Sequence, residues 1–226
     1  MTFSLIGRCP RTGRLGVVVC SSSPAVAARC AHVRGGVGAA ASQNVTDPRL
    51  GPRLLDLMEQ GASAGQAIAA LVAAEPNVEH RQLAAVDAAG GTAAFSGAGT
   101  LGTHATAEGE GAVAAGNLLA RPRVVAAMVA AFAQRHRLDL GDRLLAGLLA
   151  GLEAGGEAGP VRSAGLLIAG EVEWPIADLR VDWDERPVGR LAELWDVWKP
   201  QMEEYVTRAL APAAAPAFGV PGNERS

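Results

Sequence analysis

Threonine stands second in this chain, at the head of a short apolar run, Thr2-Phe-Ser-Leu-Ile-Gly7. Removal of Met1 tolerates a small second residue, and it would leave Thr2 with a hydroxyl nucleophile and a free α-amine on one residue. Such an amine titrates near ~7.7–8.0, so at neutral pH it can act as the hydroxyl's own general base. The bland alternative is a strand that begins with a common β-branched residue. Other residue types with chemical potential sit at the ends of apolar runs. Ser21, Ser22 and Ser23 precede Pro24 and offer hydroxyls and backbone N–H groups, or simply a serine-rich strand end. Gln43-Asn44 and Asn117 are amides that could donate to an oxyanion or a substrate, or could satisfy turn backbone. Arg162, beside Ser163, could grip a carboxylate bidentately or be a solvated loop arginine.

Some combinations carry less. Cys20 and His32 would form a thiol–imidazole pair, but Cys20 lies inside an apolar run, where cysteine is usually inert. His80, His104 and His136 lack ligand spacing, and no metal site is expected. Gly97-Ala-Gly99 is too short for a dinucleotide fingerprint, and no cofactor is expected. Asp178, Arg180 and Asp182 alternate by two on one strand face, as a structural ion network or a subunit contact would.

The elements that must position these residues follow from periodicity and turn chemistry. Pro10-Arg-Thr-Gly13 reads as a turn between Thr2–Gly7 and the unalternating apolar run Leu15–Cys20, which gives an N-terminal hairpin. Gly36 to Ser42 reads as a third buried strand. Asp47-Pro48 reads as a helix start, with Leu54, Leu55 and Met58 on one face and Gly61 as the stop. Ser63-Ala-Gly-Gln66 is a capping box for a second helix, which Pro76 ends. A second hairpin spans His80–Asp87 and Thr92–Ser96, and residues 97–110 read as a loop. Gly111–Gly116 leads as a strand into Asn117. A helix pair follows over Pro122–His136 and Leu140–Ala154, then strands at Ser163–Ala169 and Ile176–Trp183, and a last helix from Pro187. The order predicts antiparallel sheets with paired helices outside them, not alternating βαβ units.

Composition narrows the class. The 226 residues are 49% hydrophobic, enough for one sizeable core, and only 4% aromatic, so layers must pack through small side chains. A net charge of −3 argues against nucleic acid and acidic membranes. Lys199 is the only lysine, which removes lysine as a catalytic base from nearly the whole chain. Three cysteines, no CxxC, no evident secretory signal and no uninterrupted membrane-length run lead to the expectation of a cytoplasmic protein with free thiols. Residues 1–210 read as one domain. Residues 211–226, rich in Ala and Pro, read as a disordered tail.

Several stretches taken in order resemble one bacterial family: Thr2-Phe-Ser-Leu-Ile, Thr12-Gly-Arg-Leu-Gly-Val17, Ser42-Gln-Asn44 with Gly51-Pro-Arg53, and Arg81-Gln82 with Val86-Asp87. Gly97-Ala-Gly99, Gly116-Asn-Leu-Leu-Ala120, Ser163-Ala164 and Asp178-Leu-Arg-Val-Asp182 complete the set. The chain is similar over about residues 2–200 to the domain-of-unknown-function family DUF1028, placed with the N-terminal-nucleophile (Ntn) hydrolases. The resemblance implies an α+β, four-layer αββα sandwich of two antiparallel sheets, and it puts Thr2 at the nucleophile position. On that basis Thr2, Asn44 and Asn117 are the expected catalytic residues, and Ser21, Ser22, Gln43 and Arg162 the expected substrate-binding ones. The expected activity is hydrolysis of a small amide or peptide-like bond. A non-catalytic protein of the same fold that binds a metabolite or partner is the alternative, and a cysteine hydrolase using Cys20 a third. The Leu194, Trp195 and Trp198 stripe either covers a sheet or meets a second subunit, and a homodimer is expected.

Overall fold

A computed structural model describes residues 2–223; Met1, whose removal the expected Thr2 chemistry requires, lies outside them, as do residues 224–226. Strand β1 (Thr2–Arg8) turns back into β2 (Leu15–Ser21) in antiparallel register, Phe3 opposite Cys20. Gly13 makes the turn possible: it sits at φ +70°, where a side chain would be strained, and its N–H donates to the Cys9 carbonyl at 2.9 Å. A four-residue helix, α1 (Ala27–Cys30), leads to β3 (Ala31–Arg34) and β4 (Gly38–Asn44), which pair as a hairpin. The sequence reading missed β3. It is only four residues long and three of them are half-buried, so it carries no apolar run.

Helices α2 (Leu50–Glu59) and α3 (Ala64–Ala74) follow as expected. Asp47 does not cap the first backbone N–H of α2 directly. Its carboxylate accepts the Arg49 N–H at 3.0 Å and grips the Arg49 guanidinium at 2.9 and 2.6 Å, which delays the helix to Leu50. The Ser63–Gln66 capping box of α3 is complete in both directions. Strands β5 (Arg81–Asp87) and β6 (Thr92–Ser96) form the second hairpin. Part of the stretch expected as loop is a strand, β7 (Ala105–Gly109), which pairs with β8 (Ala112–Asn117). It is an edge strand with alternating exposure, and its polar and glycine residues hide the pattern.

Helices α4 (Arg123–Gln134) and α5 (Leu140–Glu153) form the second pair, followed by β9 (Ser163–Ala169) and β10 (Pro175–Val181). Helix α6 (Pro187–Trp198) starts on its proline, and after a short 3₁₀ turn through Pro200 the chain winds again as α7 (Met202–Leu210). Beyond it, the Arg208 guanidinium lies 4.1 Å from the Phe218 ring centroid.

One sheet has six strands in the order β10-β9-β2-β1-β8-β7; the other has four, β3-β4-β5-β6. Three apolar layers result. Phe3, Leu5, Val18, Cys20, Ala114 and Leu166 pack against α4, α5 and α6. Ile6, Val17, Val19, Ala39, Ala41, Ala84, Val86, Val113 and Ala115 fill the space between the sheets. Ala40, Leu83 and Ala85 pack against α2 and α3. This is an αββα sandwich, with β1 in the interior of the larger sheet.

The small side chains let the layers approach closely. A Cβ on Gly147 of α5 would lie 2.3 Å from Leu5 Cδ2 and 3.1 Å from the Met128 carbonyl oxygen. Gly147→Val is therefore expected to cost about 1–3 kcal/mol through overpacking, although valine at that position buries more apolar surface. In a chain of this length the melting temperature should fall by roughly 2–4 °C per kcal/mol. An unchanged melting temperature would show that α5 can slide off the sheet at no cost.

Candidate functional site

Side chains alternate along a strand, so the face of each residue follows from its neighbours. Thr2 and Ser4 share a face with Ile6, Ser21 with Val17 and Val19, and Asn117 with Val113 and Ala115, all pointing between the sheets. Gln43 shares that face with Ala39 and Ala41, and Gln82 with Ala84 and Val86. The apolar layer between the sheets thus turns polar at one end, where β1, β2, β4, β5 and β8 bring serine, threonine and amide side chains together. All of these are buried; Thr2 is 6% exposed.

The hydroxyl of Thr2 donates to Ser21 Oγ at 3.2 Å, and Ser21 Oγ also accepts the Ser23 N–H at 3.0 Å. Thr2 lies opposite Asn117 across the β1–β8 ladder. Behind this pair is an amide chain that the sequence reading did not anticipate. Ser4 Oγ donates to Gln43 Oε1 (2.8 Å), and Gln43 Nε2 donates to Gln82 Oε1 (2.8 Å). Asn117 Nδ2 donates to the same Gln82 oxygen (3.1 Å). Gln82 Nε2 donates to Ser96 Oγ and to the Gly116 carbonyl, each at 3.0 Å. Gln82 thereby fills two donor and two acceptor positions and holds the sheets in register at this end. Asn117 Oδ1 is left buried and without a partner among the described residues.

The structure brings Thr2, Ser21, Ser22, Gln43 and Asn117 into one neighbourhood. Asn44 serves elsewhere. It sits at φ +75°, donates to the His80 carbonyl at 2.7 Å and accepts the Leu101 N–H at 3.2 Å, tying two loops together. Arg162 donates its backbone N–H to the Ser21 carbonyl at 2.7 Å, so its backbone adjoins the site. Its guanidinium turns outward, 5.8 Å from the Trp183 ring centroid and 3.9 Å from Glu185. Cys20 points to the helical layer on the opposite face from Ser21, and burial, with the charge of Glu157 adding to it, pushes its thiol well up. It is poorly placed to supply a thiolate. Asp178 and Arg180 form a two-pronged ion pair at 2.7 Å on the edge strand β10. Among the described residues no three His, Cys, Asp or Glu side chains converge as a metal site requires.

One residue of the site escaped the sequence reading altogether. Glu157 follows α5 in a glycine-rich loop, is 5% exposed, and accepts the Ser22 N–H at 3.2 Å on each carboxylate oxygen. Burial raises its pKa to about 7, against the pull of the amino-terminal charge and the Ser22 hydrogen bonds. It lines a cavity of about 320 Å³ with Leu152, Val161, Pro187 and Val188. No local motif marks it: a lone glutamate between glycine and alanine reads as a solvated loop residue.

The pH consequence has a definite sign. A carboxyl group whose pKa is about 7 folded and 4.5 unfolded binds more protons in the folded state between those values. Its contribution to stability is fully present below about pH 4.5 and is lost as pH rises through about 7. The loss is on the order of 3 kcal/mol. Glu157→Gln should flatten that part of the stability–pH curve in urea unfolding, and an unaltered slope would place Glu157 in solvent.

Comparison with known proteins follows the same lines. The DUF1028 model, described as a family of unknown function, matches residues 2–191. Protein SPO2555 from Silicibacter pomeroyi, a DUF1028 structure, shares 28% sequence identity and a TM-score of 0.82, over 90% of this chain and 89% of that one. Anbu (ancestral beta-subunit) from Yersinia bercovieri aligns with 9% identity and a TM-score of 0.41, over 88% of this chain and 96% of that one. Anbu from Hyphomicrobium sp. strain MC1 aligns with 10% identity and a TM-score of 0.38, over 96% and 100%. No curated protein matches the chain. Its match to the family model over residues 2–191, and a shared fold with a structure of that family, mean that the chain belongs to the DUF1028 family.

Proposed function

We propose that this protein is an Ntn-type amidohydrolase acting on a small amide or peptide-like bond. The observation that carries this reading is the placement of the Thr2 hydroxyl. It heads an interior strand, points into the polar end of the space between the sheets, and is already hydrogen-bonded to Ser21. With Met1 removed, the α-amine of Thr2 takes the hydroxyl proton as Oγ attacks the substrate carbonyl. The carbonyl electron pair moves to oxygen, where backbone N–H groups or the amide of Asn117 stabilise it. The leaving amine takes the proton back from the ammonium, and water releases the acyl group. Ser21, Ser22 and Gln43 shape the inner wall, and Arg162, beside the exposed Trp183, meets a substrate carboxylate at the outer rim.

A second reading is a non-catalytic family member that binds a small metabolite or a partner. It is favoured by the amides: Asn117 and Asn44 each already commit a side-chain N–H, to Gln82 and to His80. Among the described residues no helix is long and apolar enough to cross a membrane; a cytoplasmic location belongs to the proposal. So does a two-fold homodimer. Trp195 is not its seam, because α6 buries that ring against α5, where its indole N–H donates to Asp142 at 2.7 Å. Near it, Val197 and Leu210 are among the exposed apolar side chains that a second copy could cover. Light scattering at micromolar concentration should give twice the chain mass, and a monomer mass would remove the dimer.

Thr2→Ala should abolish turnover of small amides with the fold intact, whereas Thr2→Ser should keep part of it. One residue added ahead of Thr2 should be as damaging as loss of the hydroxyl, because the amine becomes a non-basic amide. The base contributes about 10²–10⁴ in rate, within reach of a chromogenic or mass-spectrometric amide panel. Wild-type turnover by Thr2→Ala would end the nucleophile assignment, and intact mass showing retained Met1 would favour the binding protein.

A further inference from the structure

The position of Glu157 is set by the two strands that flank β1. In the larger sheet β1 lies between β2 and β8, and Thr2 is its first residue. Glu157 reaches beyond the ends of both neighbours. Its carboxylate accepts the N–H of Ser22, the residue after β2, at 3.2 Å on each oxygen. Its backbone bridges to Leu119, two residues past β8, and the next N–H, of Ala158, donates to the Leu118 carbonyl at 3.0 Å. The loop carrying Glu157 therefore lies across the amino end of β1, where the Thr2 nitrogen emerges.

The N–H and hydroxyl of Ser22 compensate the buried carboxylate only in part, since burial still outweighs them. Among the described residues no lysine, arginine or histidine side chain forms an ion pair with it. The other ionisable groups around it do not supply a buried cation. Cys20, on β2 beneath it, is held neutral by burial and by the Glu157 charge itself. Glu185 and Arg186 stand together across the cavity, with opposite signs.

We propose that Glu157 is the counter-ion of the Thr2 α-amine, holding that amine beside the hydroxyl and stabilising the ammonium it becomes. This rests on the reading of Thr2 as a free amino-terminal residue. In the reaction the Thr2 Oγ–H proton passes to the α-amine as the Oγ–carbon bond forms, and from the ammonium to the departing amine as the carbon–nitrogen bond breaks. Above about pH 7 Glu157 is ionised, stays a carboxylate through the reaction and acts as a positioning residue. Amine and carboxyl then titrate as a coupled pair, with the amine raised.

The test uses chain released from an amino-terminal fusion so that it begins at Thr2, as wild type, Glu157→Gln and Glu157→Asp. Glutamine keeps an acceptor for the Ser22 N–H and removes only the charge. The α-amine is titrated by pulse acylation across pH, read by mass spectrometry of the Thr2 peptide, with Lys199 as the single internal lysine reference. The wild-type midpoint should lie at least one pH unit above that of Glu157→Gln, about a tenfold difference in labelling rate on the acid side, with Glu157→Asp between them. Equal midpoints would overturn the proposal. Should Glu157→Gln not fold, the wild-type midpoint decides alone: a value in the ordinary ~7.7–8.0 range overturns it and a higher one supports it. Turnover by Thr2→Ala with the midpoint shift preserved would sink the nucleophile and leave the ion pair. Loss of turnover in Thr2→Ala with no midpoint shift would do the reverse.

Discussion

The two-residue alternation of β1 between two apolar layers is the constraint on which the site depends. Phe3 and Leu5 are fully buried under α4 and α5, and Ile6 is fully buried between the sheets. Each such side chain contributes about 1.5–3 kcal/mol on burial. A slip of one residue would turn Phe3 toward the amides and Thr2 toward the helices, and would forfeit most of that sum. The Thr2 hydroxyl is therefore aimed between the sheets by the apolar residues that alternate with it. Because β1 is flanked on both sides, by β2 and β8, it has no edge along which to drift.

The polar end of the sandwich follows a second rule, that buried polar groups must be satisfied. Gln82 meets it fully, with two bonds at its oxygen and two at its nitrogen. Its exchange with Gln43 and Asn117 pins β5 to both β4 and β8 and so couples the two sheets where the site lies. Such a network is rigid when complete and costly when any member is lost. Asn117 Oδ1, one of several buried polar atoms without a partner among the described residues, lies at the end of β8 beside the head of β1.

Much of the framework was legible in the residues. The Pro10–Gly13 turn, the Ser63 capping box, the paired helices and the hairpins all rest on local chemistry, and local chemistry is written in neighbouring residues. The reading failed where an element lacked its own signal. Strand β3 is too short and too exposed to show a pattern, and β7 borrows its order from β8. The regular turns of α2 begin at Leu50, three residues after Asp47, whose carboxylate accepts both the backbone N–H and the guanidinium of Arg49.

The sequence by itself determined that Thr2 begins a strand, that the serines from Ser21 close the partner strand, and that Gln43 and Asn117 close apolar runs. Tertiary structure decided which of these meet. It joined Gln43, Gln82 and Asn117 into one network, sent Asn44 to tie loops, turned the Arg162 guanidinium outward, and brought Glu157 to Ser22 across 135 residues of chain. The physical reason lies in the order of strands within the sheets. A strand's face is set by alternation along its own length, but its neighbours are set by non-local pairing and by how three apolar layers stack. No spacing along the chain encodes that pairing.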